Sequence, residues 1–534
     1  MGNLQLKHKA NSLYLKNILL LCVLGFFLFF YGNNLVSLFD NSETNYSAVA
    51  QEVINTHDYL TMHYNGRDWY VHPPLYFWLS SSLCEVFGWN EFNLRFFEAL
   101  FGLFGILITY LIAKKFFSNR TAFYSAIILG TSIYYNIISR LAIFDTLLNF
   151  FILLSIYLFL SAYYNRKRKF IYFFLFAIST SLAVLSKGPI GLVHPGIVII
   201  PFLLIKKDLK FLFDYKVLIN FILFLFITAP WYAHQLVLHG KEFFDFALRD
   251  YTWFRFFGTV EGQTGPIYYY IFILLLFLPW IFYIPLIIHK FIKKETFVGN
   301  LKQNEFVLFS LLFIIITFLF FSVAKTKLPN YIFSIFPFIS ILLASALRSK
   351  NNKSLTLLCS SALIIFQGIL VLNSFTMEIA YPYNSERILL QILFILMFAL
   401  YLLLSFFLVQ KKTRTAITSI AFGTIFFLMF LFHVFFPSLE KFKESKVFVE
   451  ILKQVTTSYT LINCGGYSPY LIYYLNHHVI HVNSLDKIPQ VNETETTYII
   501  LSNSEFDSAI SLITDYEIIK KSYTKTLIKV NKKD

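Results

Sequence analysis

Long apolar runs recur along the chain, and short polar or basic segments separate them. A helix needs roughly 17 to 25 apolar residues to cross the hydrocarbon core of a bilayer. Counted this way, the pattern predicts about 13 membrane-spanning helices. Their approximate positions are 16–38, 94–113, 121–139, 146–164, 170–186, 189–205, 217–233, 267–288, 305–323, 331–347, 354–373, 388–409 and 415–436.

The pattern changes near residue 438. Short apolar segments there alternate with polar helical stretches, which is typical of a small α/β unit. The predicted strands are 460–464, 478–482, 498–501 and 524–530. The sequence therefore predicts a mainly α, polytopic membrane region over 1–437 and a soluble α/β domain over 438–534, outside the cytoplasm.

Composition supports the membrane assignment. Hydrophobic residues make up 57% of the chain and charged residues only 14%, and the mean hydropathy is +0.62. The formal net charge of +15 could indicate nucleic acid, but Lys and Arg fall in short clusters between apolar spans. Anchoring on the cytoplasmic side explains these clusters better, so no nucleic-acid partner is expected.

Basic residues alternate between successive loops, as the positive-inside rule requires. The clusters expected to face the cytoplasm are Lys7 to Lys16, Lys114 to Arg120, Arg166 to Lys169, Lys206 to Lys210, Lys290 to Lys294, Arg348 to Lys353 and Lys411 to Arg414. The opposite face then holds the loop 40–93, the loop 234–266, the loop 374–387 and the tail after Pro437. The unusual polar residues therefore converge on the outer face.

Two carboxylates follow the first span directly, in an outer loop (40–93) predicted to carry amphipathic helices. Asp40 and Glu43 flank Ser42, and the apolar spacing after Glu43 predicts a helix with Ser42 as its N-cap. A carboxylate at the mouth of a lipid-facing cavity could accept a proton from an acceptor hydroxyl. The alternative is that both residues only cap and solvate an interfacial helix.

A histidine and several cations share that face. His72 precedes two prolines that stiffen its backbone, and the alternative is a role as an interfacial hydrogen-bonding residue. The cations run against the positive-inside bias, so a bound phosphate or pyrophosphate is expected to compensate them. The alternative is that they reach lipid headgroups. These outer charged residues are Arg140, Asp145, Lys187, Arg255, Lys325 and Lys327.

Motifs for other chemistries are missing from the sequence. It contains no GxxxxGK[ST] phosphate loop, no glycine-rich dinucleotide loop and no HExxH zinc motif. The sequence therefore disfavours ATP-driven chemistry and zinc-peptidase chemistry.

An ordered array of short motifs covers about the first 345 residues. It resembles the GT-C glycosyltransferases of the protein O-mannosyltransferase and aminoarabinose transferase (ArnT-like) family. The motifs are Phe39 to Tyr46, Asn65-Gly66, His72 to Leu79, Phe92 to Phe96, Ser139-Arg140 with Asp145, Leu185 to Pro189, Ala229 to Tyr232, Arg255-Phe256, Leu278 to Trp280 and Lys325 to Tyr331.

The resemblance implies inverting transfer of a sugar from a polyprenyl-phosphate donor to a lipid acceptor, such as lipid A, or to a protein, at the periplasmic face of the bacterial inner membrane. Glu43 and Asp40 are then the catalytic candidates on the acceptor side. No cofactor is certain, although a divalent metal is compatible with the family. The expected substrate contacts are Ser42, Tyr46, His72, Arg140, Asp145, Lys187, Arg255, Lys325, Lys327 and Tyr331.

The chain departs from the family pattern at two places. Many relatives have Asp-Glu where Ser42-Glu43 stands, so the sequence leaves open whether Glu43 or Asp40 is the catalytic acid. The aminoarabinose branch has Glu-Lys-Pro where Val71-His72-Pro73 stands, so neither the sugar nor a metal site that uses this Glu carries over. Two alternatives remain at this stage: a non-catalytic carrier or flippase for polyprenyl-linked sugars, and an assembly protein with a degenerate site.

Overall fold

Helices make up most of the computed structural model. It describes residues 2–259, 262–293, 300–348, 353–376, 386–409, 413–464, 466–482, 496–504, 506, 513 and 515–530. The helices of the first half are α1 Gly2–Gly25, α2 Glu43–Thr56, α3 Leu75–Phe87, α4 Glu91–Phe116, α5 Asn119–Gly130, α6 Ile133–Ser139, α7 Asp145–Tyr164, α8 Lys169–Lys187, α9 Ile190–Ile205 and α10 Tyr215–Phe243.

The second half continues with shorter and longer helices in turn. They are α11 Phe254–Phe257, α12 Tyr269–Leu275, α13 Ile284–Ile292, α14 Leu301–Val323, α15 Phe336–Leu347, α16 Lys353–Thr376, α17 Arg387–Val409, α18 Thr413–Phe430, α19 Phe436–Leu439, α20 Glu444–Leu452 and α21 Pro469–Leu475. Short 3-10 or π segments connect several of these helices: Phe26–Phe30, Arg166–Arg168, Leu209–Phe213, Phe244–Trp253, Trp280–Tyr283, Pro329–Ile335, Leu431–Phe435 and Glu440–Phe442.

The polytopic class predicted from the apolar runs is confirmed, but the number of spans is not. Within the described ranges, nine helices are long and apolar enough to cross a membrane, or eleven if two bent pairs each count as one span. The pairs α5–α6 and α12–α13 bend by 67° and 104°. Two predicted spans, 189–205 and 388–409, fall on shorter apolar helices. The predicted outer loop 374–387 lies mostly outside the described residues.

The basic clusters around Lys115, Arg166 and Lys206 lie at the same end of the helical bundle. Lys206 and Tyr164 both contact the Glu305 carboxylate, with N–O and O–O distances of 2.5 and 2.7 Å. Lys115 donates to Ser161 at 3.0 Å in the same region. Because Tyr164 ends α7, the first residue of that helix, Asp145, lies at the opposite end of the bundle.

Seven strands form two sheets. β1 His63–Tyr64 and β2 Arg67–Asp68 make a small antiparallel hairpin in the outer loop. The second sheet has the order β4-β3-β5-β7-β6 and consists of β3 Tyr459–Cys464, β4 Val479–Val482, β5 Thr496–Ser502, β6 Tyr516–Lys521 and β7 Lys525–Val530. β3 runs parallel to both β4 and β5, whereas β7 runs antiparallel to β5 and β6. The small C-terminal α/β unit is thus confirmed, and its boundary at residue 437 stays a prediction.

One strand of that sheet was missing from the sequence prediction. β6 lies at the sheet edge, and its residues are half-buried or exposed. Charged residues are common on edge strands because they block pairing with other chains. The resulting sequence, Tyr-Glu-Ile-Ile-Lys-Lys, lacks the apolar alternation by which strands are recognised.

The C-terminal sheet unit packs on the outer loop. Leu38, Ala48 and Ala142 from the helical region share one buried cluster with Phe448 and Tyr470. Helix α21 contacts α2 directly. Helix α2 of the outer loop therefore contacts the C-terminal unit.

Candidate functional site

Glu43 is completely buried and forms an ion pair with Arg95. Its Oε1 accepts from Arg95 Nε at 2.7 Å and its Oε2 from Nη2 at 2.6 Å. Backbone N–H groups complete the set: Ala142 donates to Oε1 at 2.6 Å and Phe39 to Oε2 at 3.0 Å. Each carboxylate oxygen therefore holds two donors, which leaves little capacity for a proton from an acceptor.

The guanidinium of Arg95 extends this network to the end of the first span. It donates to the carbonyl oxygens of Asn33 at 2.7 Å, Val36 at 2.8 Å and Ser37 at 3.3 Å. The pair thus joins the segment after α1, the start of α2, the start of α4 and the loop after α6. This geometry indicates an anchoring role for Glu43, and its catalytic role stays a prediction.

Asp40 lies at the surface and bridges to the C-terminal unit. Its Oδ1 accepts from the backbone N–H groups of Asn41 and Tyr470, both at 3.0 Å, and from the Thr44 hydroxyl at 3.4 Å. Its Oδ2 accepts from the Ser468 hydroxyl at 3.2 Å. Oδ2 therefore keeps more capacity to accept a hydrogen bond than either oxygen of Glu43.

Ser42 precedes α2, as the sequence predicts. Within the described part of the chain, however, its hydroxyl makes no capping hydrogen bond. The Glu43 carboxylate and its partners fix the start of α2 instead. The expected N-cap bond of Ser42 was therefore wrong, although the position of the helix start was right.

A cavity of about 440 Å³ lies beside the outer loop. The residues of its polar wall are His72, Asp145, Lys187, Arg255 and Tyr331. The sequence predicts a substrate contact for each of them. Its apolar wall consists mainly of aromatic and aliphatic side chains: Leu148, Ile190, Val193, Phe256, Phe257, Phe320 and Phe321. One cavity therefore combines a charged end with a surface suited to hydrocarbon.

The polar wall is cross-linked. Lys187 forms an ion pair with Asp145, and the Asn330 amide donates to the second Asp145 oxygen at 2.6 Å. Arg255 donates to the Tyr331 hydroxyl at 3.1 Å. The described lining of this wall thus has one carboxylate, Asp145, and two cations, Lys187 and Arg255. An anion such as phosphate is the complementary ligand.

Local sequence explains why Lys187 stands at this wall. It is the last residue of α8, where a cation is favoured by the negative end of the helix dipole. Gly188 follows with φ of +90°, a conformation that costs glycine little and lets the chain reverse. Gly191 then allows α9 to approach α8, because a Cβ there would lie 2.4 Å from the Ala183 carbonyl carbon.

Two residues predicted to contact substrate, Arg140 and Lys327, instead direct their side chains to backbone carbonyl oxygens. Arg140 donates to the carbonyl oxygens of Leu28 at 2.9 Å and Tyr31 at 2.8 Å, so it caps the end of the first span. Lys327 donates to the last carbonyls of α14, including Ser322 at 2.9 Å. These two cations are compensated by helix ends, a possibility that the sequence analysis did not weigh.

Two further predicted residues lie near the cavity without being part of its described lining. Lys325 is exposed, and its backbone N–H donates to the Phe256 carbonyl at 3.0 Å, next to Arg255. Tyr46 packs its ring against His72 and Phe144, with centroid distances of 5.8 and 4.8 Å. Both residues support the cavity wall through their neighbours.

Glu98 was missed by the sequence analysis. It is fully buried in α4, and its Oε2 accepts from the backbone N–H groups of Thr146 at 2.9 Å and Leu147 at 3.3 Å. It therefore caps α7 and fixes Asp145, the first residue of that helix. A lone carboxylate inside an apolar run was the signal that could have identified it.

His72 lies in the loop before α3 and is buried against Phe144, at a ring-centroid distance of 4.2 Å. Burial lowers its pKa well below the ordinary value for histidine, and the charges of Lys187 and Arg255 lower it further. The imidazole is therefore neutral near pH 7. It can donate a hydrogen bond to an anion, but it does not add a positive charge.

Metal binding finds no support in the described ranges. They contain no group of three or more His, Cys, Asp or Glu side chains arranged to hold a metal ion.

Sequence comparisons relate this chain to membrane glycosyltransferases. Residues 71–234 match the family described as dolichyl-phosphate-mannose-protein mannosyltransferase. An uncharacterised protein of Aquifex aeolicus (strain VF5) is 31% identical over 431 residues, which cover 80% of each chain. An undecaprenyl phosphate-alpha-4-amino-4-deoxy-L-arabinose arabinosyl transferase of Wigglesworthia glossinidia brevipalpis is 26% identical over 349 residues, or 62% of this chain and 59% of that protein.

Solved structures with the same fold extend over nearly the whole chain. ArnT from Cupriavidus metallidurans bound to undecaprenyl phosphate has a TM-score of 0.81 and 18% identity, covering 96% of this chain and 97% of that one. The same protein in the apo state gives a TM-score of 0.79. At this level of identity the likeness establishes the fold.

Replacing Glu43 by Gln is expected to destabilise the protein by about 3–5 kcal/mol, because Arg95 stays buried without its counter-ion. Asp40→Asn is the matched control, because Asp40 is exposed. Thermal unfolding of both variants in detergent measures the difference. A Glu43→Gln protein as stable as the wild type would contradict the anchoring role.

Stability of the ligand-free protein is expected to fall in mild acid, in part through His72. The unfolded chain binds a proton at this residue near pH 6.5 and the folded chain does not, so stability rises with pH across this range. Between pH 7.5 and 5.5 this contribution is at most about 1.4 kcal/mol, reached when the folded histidine stays neutral throughout. Unfolding of wild type and His72→Gln at both pH values tests it, and identical pH dependence in the two proteins would contradict it.

Proposed function

The chain belongs to the GT-C glycosyltransferases of the protein O-mannosyltransferase and aminoarabinose transferase (ArnT-like) family, and on this premise we propose how its cavity works. The protein moves a sugar from a polyprenyl-phosphate donor to a lipid acceptor, and the polyprenyl phosphate is the leaving group. It is a multi-pass protein of the bacterial inner membrane. Inversion at the anomeric carbon, as in the family, is part of the proposal.

One observation carries the proposal: the charged wall and the apolar wall belong to the same cavity. A polyprenyl phosphate has the matching form, with an anionic head and a hydrocarbon tail. The tail gains free energy by leaving the headgroup region for an apolar surface. Lys187 and Arg255 pair with the head through charge-assisted hydrogen bonds.

The same cations lower the barrier to transfer. As the glycosidic bond breaks, the departing phosphate oxygen gains negative charge. Fixed positive groups stabilise this developing charge more than they stabilise the bound donor, which is the condition for catalysis. Tyr331 orients Arg255 through their hydrogen bond, and neutral His72 is the further donor on this wall.

On the acceptor side, Asp40 is the stronger of the two carboxylate candidates. Glu43 is committed to Arg95 and two backbone N–H groups, whereas Asp40 is exposed and its Oδ2 has a single described donor, Ser468. Asp40 also contacts the C-terminal unit, so that unit would help to present the acceptor. We propose Asp40 as the group that accepts the proton of an acceptor hydroxyl.

The alternative function, a non-catalytic carrier or flippase for polyprenyl-linked sugars, is less well supported. A flippase needs polar groups through the depth of the bilayer. Here the polar wall lies at the end of the bundle opposite to the basic clusters. We propose that this end faces the periplasm, because the basic clusters favour the cytoplasm.

Arg255→Gln is expected to lower kcat/KM for sugar transfer about tenfold to a hundredfold, the value of a hydrogen bond to a charged group. Arg168→Gln is the matched control, since Arg168 is an exposed arginine of the Arg166–Arg168 segment, next to the start of α8. The assay measures transfer from hexosyl and pentosyl polyprenyl phosphates in membranes. Unchanged transfer in Arg255→Gln would contradict the role, and no wild-type transfer with any donor would favour the degenerate-site reading.

Orientation can be tested with two single-cysteine variants. Gln454→Cys on the C-terminal unit is expected to react with a membrane-impermeant maleimide in spheroplasts, and Lys167→Cys is expected to react only after lysis. Both positions are exposed, and none of the four native cysteines is exposed. Labelling of Lys167→Cys in intact spheroplasts would reverse the proposed orientation.

A further inference from the structure

Two polar groups of the cavity lining have no role in the proposed transfer of sugar. The Tyr232 hydroxyl oxygen and the Asn330 amide oxygen are buried, and neither has a hydrogen-bond partner among the residues that the structure describes. Buried polar atoms are nearly always satisfied, so an exception inside a cavity points to a ligand as the partner. Both residues line the cavity: Asn330 donates to Asp145, the partner of Lys187, and Tyr232 lies near Gly188.

The hydroxyl of Tyr232 lies next to Gly188, the residue that follows Lys187. It lies 3.8 Å from the position that a Cβ on Gly188 would occupy, one residue from Lys187. The tyrosine ring packs on Trp231 and Phe243, with centroid distances of 4.9 and 6.4 Å. Trp231 is itself fixed by a 2.9 Å hydrogen bond to the Leu60 carbonyl. The hydroxyl is thus held in position before any ligand arrives.

The orientation of the Asn330 amide follows from its neighbour. An ionised carboxylate only accepts hydrogen bonds, so the atom that faces Asp145 at 2.6 Å must be the nitrogen. The amide oxygen is therefore the other atom, and it can only accept. Next to a phosphate, an acceptor would be repelled, so its partner must carry a hydroxyl or an amine.

We propose that Tyr232 and Asn330 divide the recognition of the donor headgroup, an assignment that rests on the proposed function. The Tyr232 hydroxyl donates to an oxygen of the lipid phosphate. The Asn330 amide oxygen accepts from a hydroxyl or amino group of the sugar, close to the anomeric phosphate. The cavity thereby selects donors that carry such a group over donors that lack it.

Tyr232→Phe tests the first contact, because it removes one oxygen atom and keeps the ring packing. We expect the variant to bind sugar-free undecaprenyl phosphate about tenfold more weakly than the wild type. The purified full-length protein is titrated in nanodiscs, and Tyr215→Phe, an exposed tyrosine at the start of the same helix, is the matched control. Equal affinity in wild type and Tyr232→Phe would overturn this contact.

Asn330→Ala tests the second contact through a ratio of affinities. The variant should lose about tenfold more affinity for the undecaprenyl-phosphate sugar than for undecaprenyl phosphate itself. The ratio is the readout because loss of the bond to Asp145 acts on both ligands through Lys187. Equal losses for the two ligands would overturn the assignment to the sugar.

These binding measurements separate the inference from the proposed function. A wild type that binds undecaprenyl phosphate but transfers no sugar would contradict the proposed function. The affinities of wild type and Tyr232→Phe for undecaprenyl phosphate would still test the Tyr232 contact in that case. A wild type that transfers sugar but shows no loss of affinity in Tyr232→Phe would contradict the inference alone. A wild type that binds no undecaprenyl phosphate would overturn both.

Discussion

The buried Glu43–Arg95 pair is the constraint on which the rest of the site depends. An ion pair removed from water is costly unless its remaining hydrogen-bonding capacity is used. Here the capacity is used by backbone groups from the end of the first span and from the loop after α6. The hydrogen bonds of this pair therefore hold four chain segments in fixed positions relative to one another.

The positions of these four segments determine where the polar wall of the cavity lies. The loop held by Glu43 through Ala142 leads directly into Asp145, whose helix start is capped by Glu98. Asp145 in turn holds Lys187, which reaches the cavity because α8 ends there and Gly188 reverses the chain. A cation beside an apolar surface is expensive to maintain without such support. The buried acids thus keep Lys187 in place at the cavity wall.

Much of this could be predicted from the sequence, and the failures have physical causes. Apolar run lengths identify helices that must bury backbone polar groups, but they do not show bends such as the one between α12 and α13. Within the described residues, the predicted count of 13 is not confirmed because two predicted spans fall on shorter helices and two on bent pairs. Of the outer cations predicted to bind phosphate, Lys187 and Arg255 line the cavity, and their binding of phosphate stays a prediction. Arg140 and Lys327 share that signal yet cap helix ends, because the direction of a long side chain is set by tertiary contacts.

The central claim is that Lys187 and Arg255 hold the phosphate of a polyprenyl carrier, with its chain along the apolar wall. The most direct measurement is a cryo-EM structure of the protein in nanodiscs with undecaprenyl phosphate. The account predicts phosphate density within hydrogen-bonding distance of both cations, and isoprenoid density along Val193 and Phe320. Phosphate density at another surface, with this cavity filled only by water, would contradict the account.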